Sequence, residues 1–296
     1  MRSAVNQAAP ARRLAVFRSL TGAFAVVYLV SRLSYFLDLT RLHESRWVPP
    51  LALRPLGDPP SPVVAVLVLG LVLALGVAYT VGWRFRVTGP AFAVGLLAVM
   101  SYRNAWGHLF HTDNLVVLHV FVVGLAPSAD AWALDAGARP APAEDVRYGF
   151  PLRLAAVITV LTYVVTGVAK LRYAGGDWLA GDTLLHQIAF DNARKNVLGD
   201  DYSPLAAAFA GHPWLFRPMG GLTLLVELGA PVALLGRRWA AWWSGAAWLF
   251  HLGIFSLMWI AFPYPLSLIA FAPFFRLERP VDWLLDRSTV RRLAPT

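Results

Sequence analysis

Of the 26 Lys and Arg residues in the chain, only Lys170 and Lys195 are lysines. Lys170 closes the apolar run Pro151–Leu171. An arginine there would stay charged, whereas a desolvated lysine can shed its proton. A neutral amine so placed is a competent general base. The competing reading is a lysine that snorkels its amine out of the apolar layer. At helical spacing Tyr163, Thr166, Gly167 and Tyr173 fall on the Lys170 face. Two phenols, a hydroxyl and a glycine could admit a flat ligand close to the backbone. They could equally be groups that let helices pack.

Two further clusters carry polar chemistry. Arg103, Asn104, His108, His111, Asp113 and Asn114 gather in one short stretch, with the two histidines on one helical face. The spacing offers no firm third ligand and no H-E-x-x-H motif, so a substrate-facing patch or a hydrogen-bonded loop is expected, and no metal. Glu227 falls inside the apolar run Thr223–Leu235 and His251 inside Ala240–Phe262. Ionisable groups in such runs are costly and turn towards a partner or a cavity. Both are expected to face the interior and to pair with each other or with Arg18 or Arg32; a purely structural ion pair is the alternative. The chain has no cysteine, which excludes disulfides, thiolate zinc sites and a thiol nucleophile.

The elements that must hold these groups follow from composition. The 296 residues are 57% hydrophobic and 15% charged, with a mean hydropathy of +0.55. Average chains carry about 25% charge, so this one lacks the polar residues to cover a globule of its size. The fold class expected is all-α, a polytopic transmembrane helical bundle in the cell membrane, with the lipid bilayer as its solvent. Taking ~20 apolar residues per crossing, about eight candidate spans are read: 14–38, 63–82, 88–107, 112–127, 151–172, 217–236, 239–262 and 264–276, of which the fourth and eighth are short and read equally as tilted, buried or partly re-entrant. The twelve Trp, many near the ends of these runs, suit interfacial belts. The arginines behind the net charge of +9 flank apolar runs, as Arg12, Arg13, Arg84, Arg86, Arg237 and Arg238 do. They read as topology determinants facing anionic lipid rather than as a nucleic-acid surface, and they place both termini in the cytoplasm.

Residues 1–13 are then a cytoplasmic tail, 14–276 the transmembrane domain and 277–296 a basic cytoplasmic tail. The first 38 residues lack a clear cleavage site and do not read as a signal peptide. Residues 127–149 look like an ordinary connector. Residues 173–216 form a longer outer loop whose stretch Trp178–Asn192 mixes Leu184, Leu185, Ile188 and Phe190 with Asp182, His186 and Gln187. That is the pattern of an amphipathic or re-entrant helix, placed to roof Lys170 at the outer leaflet. No internal repeat supports an inverted-repeat transporter.

The segment Gly167-Val168-Ala169-Lys170-Leu171, followed by Asp177-Trp178-Leu179-Ala180-Gly181, resembles the G-V-x-K-L…D-W-x-x-G segment of the vitamin K-dependent γ-carboxylase family. HTTM-domain proteins are bacterial relatives of its membrane portion. Trp106–Asp135 and the pair Phe250-His251 with Phe262-Pro263-Tyr264 are similar to further stretches of that family. The resemblance implies that Lys170 is the base that deprotonates a vitamin K hydroquinone-like cofactor. In the family the resulting anion reacts with oxygen, a substrate glutamate loses a proton, and carbon dioxide is captured. It aligns His251 with a family histidine and brings a second supporting histidine near His111, with Thr112 opposite it. The family's large lumenal domain has no counterpart in these 296 residues, so carboxylation of a propeptide-bearing protein is not expected. The leading expectation is a membrane enzyme with lyase- or oxygenase-type chemistry. Lys170 and His251 would be catalytic, and Tyr163, Thr166, Gly167, Tyr173, Trp178, His108, His111, Asn114 and Glu227 would line a site for a reduced quinone or another lipidic ligand. A binding or export-partner protein without chemistry is the alternative, and a small-solute transporter the third; no protein partner is named by the sequence.

Overall fold

The structure is a computed structural model that describes residues 7–107, 110–134, 136 and 144–283. The described residues are helical, with no strand beyond one isolated bridge between Ala9 and Asp145. Among the described residues, five helices are long and apolar enough to cross a membrane. The chain divides into two compact units, 1–155 with 275–296, and 156–274.

The first unit contains α1 (Ala11–Ser31), α2 (Leu33–Leu39), α3 (Pro62–Val81), α4 (Phe85–Arg103) and α5 (Asn114–Gly124). Ser61 caps α3 by accepting from Val64 N, Pro62 occupies its first turn, and Gly82 ends it at φ +70°. Helix α1 packs on α3 and α5, and α4 on α3 and α5. Small residues set these approaches, as expected where lipid gives no hydrophobic drive between helices. A Cβ on Gly89 would lie 2.6 Å from Gly124 O, and one on Gly124 would lie 2.8 Å from Gly89 O, so α4 and α5 touch backbone to backbone.

Helix α6 (Val146–Ala174) begins in the first unit and ends in the second. The second unit continues with α7 (Gly176–Ala180), α8 (Asp182–Leu198), α9 (Pro204–Ala210), α10 (Phe216–Leu228), α11 (Arg237–Met258) and α12 (Pro263–Leu266). Helix α10 runs on as a 3-10 segment to Leu235. Ile188, Ala206, Phe216 and Leu257 form a core that ties α8 and α9 to α10 and α11. Asn192 stitches the same region, donating to Leu257 O at 3.0 Å and accepting from Ser203 N at 2.7 Å.

Three expected spans are corrected. The run 14–38 is two helices, broken at Arg32, whose guanidinium folds back over the Tyr28 ring at 4.0 Å. The run 112–127 is helical only over the 11 residues of α5, about 16 Å at 1.5 Å per residue and well short of a ~30 Å hydrocarbon core. The run 264–276 cannot cross as one helix. It holds the four-residue α12 and a 3-10 turn over Ile269–Phe274, because Pro263, Pro265 and Pro273 withhold backbone donors.

Candidate functional site

The second unit assembles a polar cluster from α6, α10 and α11. Lys170 Nζ donates to Glu227 Oε1 at 2.5 Å. The carboxylate side chain is 2% exposed and the amine side chain 17%. Two rings flank the ammonium, Trp178 at 4.7 Å and Phe250 at 5.3 Å from their centroids, a cation–π arrangement that desolvation strengthens. Trp178 is itself held, its Nε1–H donating to Thr223 Oγ1 at 2.9 Å. Two turns earlier on α6, the Tyr163 hydroxyl lies 2.7 Å from His251 Nε2. Trp243 packs edge-on to Tyr163 at 4.9 Å and donates to Val226 O at 2.9 Å, joining α11 to α10.

The local backbone explains why these groups meet. Gly167 sits one turn before Lys170, and a Cβ there would come within 2.9 Å of Leu228 Cδ2 and 3.0 Å of Glu227 Cβ. Its bareness lets α10 lie against α6 and delivers Glu227 to the amine. Gly181, at φ +89°, turns the chain from α7 into α8, and a Cβ on Gly220 would lie 2.3 Å from Trp178 O. That close approach seats Trp178 on α10, beside Lys170.

Lys170, Glu227, Trp178, Tyr163 and His251 are thus gathered, while other expected site residues are not. Thr166 is exposed and returns its hydroxyl to Thr162 O at 2.8 Å. Tyr173 is 82% exposed and stacks with Arg172 instead. Gly167 serves helix contact, leaving no room there for a planar group. Glu227 pairs with Lys170 rather than with His251, Arg18 or Arg32. Arg18 is fully buried in the first unit, where it donates to Ser128 O at 2.6 Å.

The stretch around Arg103 also lies in the first unit. Arg103 forms a buried ion pair with Asp113, which accepts from the Tyr28 hydroxyl at 2.6 Å, so a hydrogen-bonded anchor prevails over a substrate-facing patch. Asn114 heads α5 and is exposed; His111 starts the short turn before it, and His108 lies outside the described residues. The outer segment Trp178–Asn192 breaks at Gly181; Trp178 meets the amine, whereas α8 packs on α9 and the end of α11. Lys195 is not free either: it binds Asp191 at 2.9 Å and the carbonyl of Met258. An open groove of about 310 Å³ lies between α8 and α9, lined by Ile188, Ala189, Ala206 and Phe216.

Sequence reasoning passed over Phe250 as a partner of the amine and Thr223 as the anchor of Trp178. Phe250 adjoins His251, and Thr223 precedes Glu227 by one turn, so helical spacing alone could have raised both.

Fold and site together define a multi-pass helical membrane protein with a buried ion pair in each of its two units. The chain belongs to the HTTM domain family, which matches residues 6–283. No curated protein and no solved structure matches it.

Proposed function

We propose that this membrane protein is an enzyme in which Lys170 serves as the base towards a quinol-like or other lipidic ligand. The observation that carries the reading is the Lys170–Glu227 pair, enclosed by Trp178 and Phe250. Glu227 is positioned to take one proton from Nζ across a single hydrogen bond. In a low-dielectric site the neutral amine–acid pair avoids the cost of two buried charges; the amine lone pair then accepts the Glu227 O–H hydrogen bond and becomes available to a ligand proton when that hydroxyl turns away. The residues suit a reduced quinone. Nζ spends one of its N–H bonds on Glu227 and the Lys170 side chain stays 17% exposed, and the Trp178 and Phe250 faces offer apolar contact to a ring. Such a cofactor, when bound, supplies the reducing power for reaction with oxygen. Trp178, fixed by Thr223, covers one side of the amine.

The test is oxygen uptake with a reduced menaquinone-type quinone by the purified protein in lipid nanodiscs. Removing a general base costs ~10²–10⁴-fold, so Lys170→Arg should lower the rate at least ~100-fold while quinone binding persists. Wild-type turnover in Lys170→Arg would overturn the reading. The rival, a binding protein without chemistry, draws on the fact that Glu227 already occupies the amine; quinone binding with no turnover in the unaltered protein would favour it.

The location proposed is the cell membrane with both termini in the cytoplasm, on the strength of the arginines at 12, 13, 84, 86, 237 and 238.

A further inference from the structure

Among the described residues, two buried polar atoms of the cluster have no partner: Glu227 Oε2 and His251 Nδ1. An unpaired buried group costs ~1–3 kcal/mol, and such groups in native structures call for an explanation. The chemistry of Tyr163 supplies one. Its buried hydroxyl carries a single hydrogen, and among the described residues its one hydrogen-bond neighbour is His251 Nε2, at 2.7 Å. If Nε2 carried the imidazole proton, it would donate to the phenol, strand the phenol's own hydrogen and leave Nδ1 and Glu227 Oε2 as two bare acceptors; with Tyr163 donating, what remains is one donor and one acceptor, which a single bridging group can satisfy. Tyr163 therefore donates and Nε2 accepts. A neutral imidazole has one donor and one acceptor nitrogen, so the proton resides on Nδ1. His251 then offers an unpartnered donor, and Glu227 Oε2 an unpartnered acceptor. The Phe250 ring adjoins both centres, 5.1 Å from the His251 ring and 5.3 Å from Lys170 Nζ.

We propose that His251 Nδ1–H is linked to Glu227 Oε2 through one ordered water, completing a chain phenol–imidazole–carboxylate–amine. A buried water of this kind makes two to four hydrogen bonds to otherwise unsatisfied groups. Tyr163 and His251 act as positioning residues. Tyr163 fixes the tautomer, and His251 presents a second donor to Glu227. Glu227 thus keeps a hydrogen bond at Oε2 both as the carboxylate beside the ammonium and as the acid beside the neutral amine. Which nitrogen of a histidine carries the proton is set by the hydrogen bond that the other one makes. The functional role rests on the reading of Lys170 as a base; the hydrogen-bond chain does not.

The experiment is nitrogen-15 NMR of the histidine-labelled full chain in nanodiscs at neutral pH, with the His251 signals assigned by their loss in His251→Gln. The expected spectrum has a protonated Nδ1 and a bare Nε2. Glu227→Gln should shift the Nδ1 signal, and Tyr163→Phe should convert the single tautomer into a mixture. Should His251→Gln fail to fold, Tyr163→Phe assigns the resonance, since it deletes one oxygen and keeps the ring. A proton on Nε2 in the unaltered protein, or an Nδ1 signal indifferent to Glu227→Gln, would overturn the chain. Neither result depends on turnover, so failure of the base reading, seen as full activity in Lys170→Arg, stays separate.

Discussion

At the scale of single residues, the Lys170–Glu227 pair is the costliest feature of the second unit. Breaking a buried pair by deleting one partner typically costs ~3–5 kcal/mol, because the other charge is left uncompensated. Lys170→Met should therefore destabilise by about 3 kcal/mol, since Glu227 remains almost fully buried. Adding Glu227→Gln removes the stranded charge and should recover most of the loss. Thermal unfolding of the two single variants and the double variant in detergent measures the coupling. Simple additivity of the two losses would contradict a direct pair. Lysine at this position was legible in the sequence because it is one of two, and glutamate because it interrupts an apolar run. Their pairing was not legible: they lie 57 residues apart, and His251, Arg18 and Arg32 offered equally good charges.

At the scale of elements, the site depends on glycines that let backbones meet. Gly167→Ala forces a methyl against Leu228 and Glu227 at about 3 Å, an overpacking worth ~1–3 kcal/mol. Gly220→Ala is more severe, since its Cβ would overlap the Trp178 carbonyl at 2.3 Å and lift α7 from α10. Gly245, inside α11 with open space around it, is the control. Gly245→Ala should stabilise by ~0.5–1 kcal/mol through helix propensity. Ranking the three variants by unfolding temperature checks the argument; equal effects at Gly167 and Gly245 would refute close packing as the reason for the first. The helices were legible from hydropathy and from stops such as Gly82. Gly167 was open to two readings, ligand room or helix contact, and only the position of α10 selects the second.

For the whole molecule, the first turn of α1 is held to residues 278–282 within the first unit. Arg13 grips Glu278 with two hydrogen bonds, at 2.8 and 2.7 Å, and Arg12 meets Asp282 at 3.1 Å. Burial would raise the Glu278 carboxyl, but the Arg13 hydrogen bonds outweigh it and hold the group below its ordinary value. A depressed carboxyl contributes stability above its unfolded value, ~4.3. That contribution is lost as pH falls through the lower folded value. Stability of the unaltered protein should therefore fall below about pH 4 more steeply than that of Glu278→Gln, as acid titrations of unfolding temperature would register. Parallel acid limbs would exclude a role for this clamp. The same contact joins the start of α1 to residues 278–282, and the cysteine-free chain makes the proposed orientation measurable. Single cysteines at Arg84 and Arg238 should label from the cytoplasm, and one at Trp214 from the opposite side; the reverse pattern would invert the proposed orientation.

Hydropathy and charge by themselves determined that this chain lives in a membrane as a helical bundle. Burying apolar helices in lipid is a sum over local residues and needs no knowledge of which helix touches which. The same local sum exposed Lys170, Glu227 and His251 as groups too costly to face lipid. It overstated the crossings at 112–127 and 264–276, because apolar composition does not register where proline or a short turn withholds the hydrogen bonds a spanning helix needs. Partnership was decided by tertiary structure alone. Lys170 binds Glu227, Tyr163 binds His251, and Thr166 and Tyr173 turn away, because such choices depend on how far α6 and α10 can approach at Gly167, a distance set between helices rather than along one.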